Sequence, residues 1–402
     1  MTKAMHAAII GLVVSLACQS ELQAAAGAGD SVRFSLGVMG QKTDNRDASE
    51  TDEQDNIDIY IRPRVDISYD SGGSRLNLYY IPAYRYRSEP GDSQDDSAWQ
   101  HELSLKAMHD LSARSRVRLY DAFSVADDPS IEEGGIRRRG DYSYTRNVVE
   151  AGLNYDVLKY SNLDLIVRNR IKRFDDAGIA ATSDEDELTA KAEHRHQINQ
   201  TLRSLLTLGY SMFSYDDTLR LMRDFDSITA AVGVENAFTP NTMGTLSVGW
   251  QTREYDDPGT TAKGMPYARA SLEGLLNSDL RAGVVLGHGL RDSDAYPFSS
   301  QEFTDLRAFA NATLSPSVNL LGSLTYRVSS YDEDDIPSRA LISDFIGSTS
   351  GDETTIVGDI GVTVSVMDNL SLLAGHRYED IDSDVGHSYT KNTTRIGATL
   401  SF

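Results

Sequence analysis

From residue 31 onward, apolar and polar positions alternate with a period of two, in runs of about ten residues separated by turns and loops. In the first run Val32, Phe34, Leu36 and Val38 share a face; in the second Ile57, Ile59, Ile61, Val65, Ile67 and Tyr69 do. Between them, Lys42 to Asn56 carries Asp44, Asp47, Glu50, Asp52, Glu53 and Asp55 and is expected to be a water-facing loop. The next connection, Ser71-Gly72-Gly73-Ser74, is a tight turn whose two glycines suit the positive φ of a type I′ hairpin. With Gly72 and Gly73 as the turn, Tyr69 faces Leu76, Ile67 faces Leu78, Val65 faces Tyr80 and Ile61 faces Tyr84, all apolar pairs on one side. The same register sets Asp58 against Arg87, Tyr60 against Arg85 and Asp66 against Tyr79 on the other side. It also places Pro63 opposite Pro82, where neither strand has an N–H to offer, so a bulge or weakened patch is expected.

Further alternating runs lie near 98–108, 116–126, 142–157, 163–174, 187–197, 202–215 and 224–238. They continue near 243–255, 265–276, 280–291, 301–314, 318–331, 353–366, 370–380 and 392–402. With the first three, these predict eighteen strands. Short turns at 110–115, 159–162, 198–201, 239–242, 277–279, 315–317 and 367–369 alternate with long loops, among them 126–141, 175–186, 292–300, 332–352 and 380–391. An even number of strands with long and short connections in strict alternation predicts an all-β, transmembrane antiparallel outer-membrane β-barrel, with the long loops outside the cell. The weakest runs are 116–126, where Asp121 interrupts the apolar face, and 187–197. Loss of one hairpin would leave sixteen strands. A soluble sandwich or propeller would account for neither the loop asymmetry nor the N-terminus.

That N-terminus reads as a secretory signal over 1–26, with Lys3, an apolar stretch from Ala7 to Ala17 and the small-residue site Ala24-Ala25-Ala26. The barrel is then expected over 27–402. Cys18 could mark a lipidated signal, but Ser15 stands where such signals carry Leu. Cys18 is the sole cysteine, so removal of the signal excludes disulfides and thiolate metal sites. No later stretch approaches the length of apolar sequence a membrane helix needs. The net charge of −22, with no basic stripe, disfavours nucleic acid as a partner.

The non-apolar face of each strand is expected to form the lumen. Its basic candidates are Arg62, Arg64, Arg85, Arg87, Arg168, Arg170, Lys172, Arg253, Arg327 and Arg377, with Arg116, Arg118, Lys191, Arg195, Arg281, Arg307 and Arg395 beside them. Against these stand Asp58, Asp66, Asp164, Glu187, Glu193, Asp305, Asp359 and Glu379, so a strongly acidic chain has a basic interior and carries its negative charge in the loops. Two roles are open for each arginine, and both can hold at once: cross-strand pairing with carboxylates and tyrosines, or a positive lining for an anionic solute. Tyr60, Tyr79 and Tyr120, also inward, could stack on sugar rings or simply line the wall. The acidic loops could gather divalent cations that bridge lipopolysaccharide, though solvated loops need no ligand and no calcium-loop spacing is present. His101, His194, His196, His288 and His376 align with no carboxylate or serine partner, so no catalytic residue, metal ligand or cofactor is expected.

Recurrent hairpin phrases carry a resemblance. Leu206-Thr207-Leu208-Gly209-Tyr210 runs into Ser214-Tyr215-Asp216-Asp217, and Leu370 to Tyr378 runs into Glu379-Asp380-Ile381-Asp382-Ser383. With the ending Thr394 to Phe402, these make the mature chain resemble the putative β-barrel porin 2 family, which includes exopolysaccharide-locus outer-membrane proteins. The resemblance implies an outer-membrane conduit for polysaccharide export beside a periplasmic polysaccharide-export protein, and it transfers no site residue. A passive diffusion porin for small, anionic solutes is the alternative, and a surface protein working through its acidic loops is a third class. In the last strand Ile396, Ala398, Leu400 and Phe402 share the lipid face, which is expected to pair with Val32 to Gly40. Phe402 resembles the terminal aromatic by which the outer-membrane assembly machinery recognises its clients. The expected location is the outer membrane of a Gram-negative-type bacterium.

Overall fold

A computed structural model describes residues 31–402 apart from 52, 91–94, 127–130, 133–134, 137–142, 216–222, 294, 296–297, 338–347 and 387. The expected signal, 1–26, lies outside the described residues, as does most of the expected loop 126–141. The alternating runs form β1 (Ser31–Thr43), β2 (Asn56–Ser71), β3 (Ser74–Arg87), β4 (Ser97–Ser112), β5 (Ser115–Ala126), β6 (Tyr144–Leu158), β7 (Ser161–Phe174), β8 (Glu185–Gln197) and β9 (Leu202–Tyr215). They continue as β10 (Phe225–Thr239), β11 (Thr242–Tyr255), β12 (Lys263–Asn277), β13 (Leu280–Asp292), β14 (Ser300–Ser315), β15 (Val318–Tyr331), β16 (Gly351–Met367), β17 (Leu370–Ser383) and β18 (Tyr389–Ser401). All 18 belong to one antiparallel sheet that closes on itself where β1 meets β18. The two weak runs are genuine strands, β5 and β8, which removes the sixteen-strand alternative. Outward Asp121 is accommodated because Asn147 of β6 donates to it at 2.8 Å. A short helix, α1 (Ala177–Ser183), fills the connection from β7 to β8.

The β2–β3 register is the one its diglycine turn dictates, with Asp58 opposite Arg87 and Ile61 opposite Tyr84. Gly72 and Gly73 take φ of 52° and 104°. Cα pairing lapses between Ile61↔Tyr84 and Val65↔Tyr80 and resumes in the same register, so Pro63 and Pro82 interrupt the ladder without adding a bulge. Two expectations need correction. First, β18 closes on Ser35–Thr43 rather than on Val32 to Gly40, because β1 continues through Lys42 and Thr43 before its loop begins. The Phe402 N–H reaches the Phe34 carbonyl at 2.8 Å. Second, the expected loop 380–391 is mostly strand. Glu379 and Ile381 continue the inward alternation, and Ile381 is buried against Tyr389 and Ala48.

Outward positions carry Val232, Leu246, Val248, Trp250, Ile360 and Ile396, each more than half or close to half exposed, as a surface facing lipid chains requires. The inward face is crowded at β10–β11, where glycines allow the wall to turn sharply. A Cβ on inward Gly249 would stand 2.0 Å from the Ala230 carbonyl oxygen, and one on Gly233 would stand 2.4 Å from that of Leu246. Neither contact can be relieved by a side-chain rotation. Gly249→Val should therefore destabilise the barrel by about 1–3 kcal/mol or more, checked by urea unfolding of the detergent-folded protein with outward Gly358→Val as the control, since Gly358 has open space around it.

Candidate functional site

The inward arginines divide by their depth beneath the long-loop rim. Arg62, Arg64, Arg168 and Arg377 are partly exposed to the lumen. Arg64 makes a two-point contact with Asp66 at 2.5 and 2.7 Å and stacks on the Tyr79 ring at 4.4 Å, while Tyr79 donates to Glu102 at 2.7 Å. Arg62 lies 3.5 Å from the same glutamate, Arg168 lies 3.2 Å from Glu187, and Arg377 contacts Glu379. Lys106 lies over the ring of Tyr120. Arg85, Arg87, Arg170, Lys172, Arg253 and Arg327 point inward too but are buried. Arg87 stands 3.8 Å from Asp58, and Lys172 sits over the rings of Tyr144 and Phe174.

Two of the buried group, Arg170 and Arg253, contact a piece of the barrel that bends out of the wall. The hairpin tip formed by the ends of β13 and β14, with Ser293, Ala295, Phe298 and Ser299 of their connection, bends into the lumen. Several of its contacts are with inward side chains of strands that are not its neighbours. Arg170 of β7 reaches to 3.7 Å from Asp292, Tyr215 of β9 donates to the Ser293 carbonyl, and Arg253 of β11 donates to the Arg291 carbonyl at 2.6 Å. Arg223, after β9, donates to the Phe298 carbonyl at 2.9 Å and lies over the Tyr215 ring. From the other side Asp335 accepts from Ser300 and Tyr255 and pairs with Lys263 at 2.7 Å. Phe298 is 1% exposed, closed over by Tyr331 and Val385.

Asp305 is the shared carboxylate of Arg307 at 2.6 Å and of Arg291 and Arg327, each at 3.8 Å. Arg253 is fully enclosed, with its face on Phe225 at 4.0 Å, and no carboxylate lies within ion-pair distance of it among the described residues. Its Nε has no hydrogen-bond partner. Burying a guanidinium without a counter-charge is costly, and an anion would repay that cost. Along β2 to β6 lies a cavity of about 330 Å³, lined by Tyr60, Arg62, Gln100, Glu102, Ser124 and Tyr144 among others.

Several participants at the tip are not legible in the alternation, Arg223, Phe298 and Arg291 among them. Arg223 and Phe298 lie in connections, where alternation carries no information, and Arg291 sits at a strand end beside an acidic loop. The histidines also differ from expectation, since several have hydroxyl partners. His196 meets Ser161 at 2.8 Å, His288 meets Thr304 and His376 meets Thr394, both at 3.0 Å. Each pair sits cross-strand on the outer face, where an unpaired polar group would be costly.

A family model described as "Putative beta-barrel porin 2" matches residues 31–402. No curated protein matches the chain. Among solved structures it is similar to Pseudomonas aeruginosa OccK2 (OpdF), with 11% identity over 92% of this chain and 98% of that one and a TM-score of 0.50. It is also similar to Pseudomonas aeruginosa OpdK, solved with vanillate, with 12% identity over 92% and 99% of the two chains and a TM-score of 0.47. The likeness to OccK2 is one of fold. Because Asp305 is the counter-charge for three guanidiniums, two of them buried, Asp305→Asn should cost about 3–5 kcal/mol of stability, measured by chemical unfolding in detergent against Asp359→Asn, whose partner Arg395 is partly exposed.

Proposed function

The chain belongs to the putative β-barrel porin 2 family, and from that premise we propose that this outer-membrane porin-like channel selects small anionic solutes. The observation that carries the reading is the buried guanidinium of Arg253, which no carboxylate meets within ion-pair distance among the described residues. A carboxylate or phosphate group passing the tip would supply the counter-charge for this guanidinium, a group that suits planar two-point recognition. Partly exposed Arg62, Arg64, Arg168 and Arg377 would hand the solute along the remaining lumen. Export through a signal over 1–26, assembly signalled by Phe402 and contact with lipopolysaccharide all belong to this proposal.

Secretion of an extracellular polysaccharide is a second reading, favoured by the polar side chains Arg62, Gln100, Glu102 and Ser124 that line the cavity and can hydrogen-bond sugar hydroxyls. A polymer has to pass the infolded tip, which a small solute need not displace, and the first reading therefore ranks higher. Export would also require a periplasmic partner to deliver the chain. Deleting the gene and measuring surface polysaccharide separates the two, since unchanged polysaccharide with altered uptake of anions supports the small-solute channel.

In planar bilayers at low ionic strength, where charges are least screened, the purified barrel should conduct with anions preferred. A hexuronate should block the current more strongly than the neutral hexose. Arg253→Ala should reduce both the anion preference and the block. A silent barrel, or one that prefers cations, would overturn the proposal.

A further inference from the structure

The tip can leave the wall because one strand cannot hold it. β12 and β13 pair only from Asn277↔Leu280 up to Ala268↔His288, although β12 runs back to Lys263 and β13 runs on to Asp292. Continued in that register, Tyr267 would face Gly289 and Pro266 would face Leu290. Leu275 donates toward β11, to the Asn241 carbonyl at 2.9 Å, and the β11–β12 register is unbroken from Gly274 to Lys263. Ladder bonds alternate sides along a strand, so Pro266 faces β13, and it has no N–H to give. Beyond it β13 keeps its pairing with β14 as far as Asp292↔Ser300, and the two move inward together.

The backbone of Leu290 is not left unsatisfied. Its N–H donates to Gln251 Oε1 at 2.9 Å, and its carbonyl accepts from Gln251 Nε2 at 3.1 Å. A primary amide carries one acceptor and donors side by side, so the Gln251 side chain stands in for the peptide group that a neighbouring strand would present. Gly289 leaves room for it, as a Cβ there would lie 2.9 Å from Gln251 Oε1. Two residues along β11, Arg253 holds the next carbonyl of the tip.

We propose that Gln251 is the positioning residue of the pore: its amide latches the Leu290 backbone that Pro266 cannot bind, and so keeps the β13–β14 tip in the lumen as the selectivity-setting constriction. The latch rests on the channel reading, and two readouts separate them. The first is thiol labelling at Ser299, a buried position whose hydroxyl has no hydrogen-bond partner, so that Ser299→Cys disturbs little. The probe is a water-soluble maleimide applied to the full barrel, folded in detergent, with Cys18→Ala making it the single thiol. Adding Gln251→Ala should raise the labelling rate about tenfold, as expected for two lost hydrogen bonds. Gln251→Glu, which accepts from Leu290 N–H but cannot donate to its carbonyl, should give a smaller rise. The second readout is unit conductance, which should increase and lose anion preference in Gln251→Ala. Pro266→Ala in the same background should hold the tip at the wall and widen the pore further. Heat-modifiable migration establishes that each variant is folded, and Gly289→Val, which crowds the amide without removing it, provides an independent disturbance. Unchanged labelling in folded Gln251→Ala and Gly289→Val overturns the latch, as does faster labelling with unchanged conductance. A silent native barrel whose labelling still responds to Gln251→Ala retires the channel reading and retains the latch.

Discussion

Every backbone N–H and C=O that faces hydrocarbon must find a partner within the protein, and the rest of this structure follows from that requirement. It is the reason that the strands close into a cylinder, with β18 sealing against β1 through Ser35↔Ser401 to Thr43↔Thr393. It also explains where irregularity is tolerated. Pro63 and Pro82 interrupt one ladder together, so a single gap absorbs both missing donors, and each strand keeps its pairing on its other side, Pro63 with Leu36 and Pro82 with His101. Pro266 breaks a ladder near the long-loop rim, and the freed peptide moves to the lumen, where a side-chain amide receives it. The cross-strand pairs of histidine with serine or threonine on the outer face meet the same requirement for side chains.

Charge is arranged under a related constraint. A chain of net charge −22 carries its arginines inward, and most of them are paired: Arg64 with Asp66, Arg118 with Asp164, Arg168 with Glu187 and Arg395 with Asp359. Such pairs stiffen the wall across neighbouring strands and leave little net field. The cross-strand pairing expected for the arginines thus occurs at these positions. At the tip Arg253 differs, buried with no carboxylate within ion-pair distance among the described residues.

Where order is local, the sequence displays it. The β2–β3 register was legible because Gly72 and Gly73 fix the turn and a shift of one residue would reverse every apolar position. The eighteen strands followed from the same alternation, even at β5, where outward Asp121 was puzzling until Asn147 appeared beside it. What alternation cannot convey is contact through the lumen. Arg170 and Asp292 are far apart in the chain and lie on strands that do not touch, and each looks like an ordinary inward or loop residue. Pro266 lies near the start of β12, and its meaning depends on which neighbour its missing N–H faces. Likewise, the partner of β18 was displaced by three residues at each end because Lys42 and Thr43, polar enough for a loop, extend β1.

The infolded tip is anchored by β7, β9 and β11, whereas the open cavity lies along β2 to β6. The two therefore occupy different sectors of the cylinder, so substitutions at the tip and along β2 to β6 touch separate sets of side chains, and their effects on stability should add.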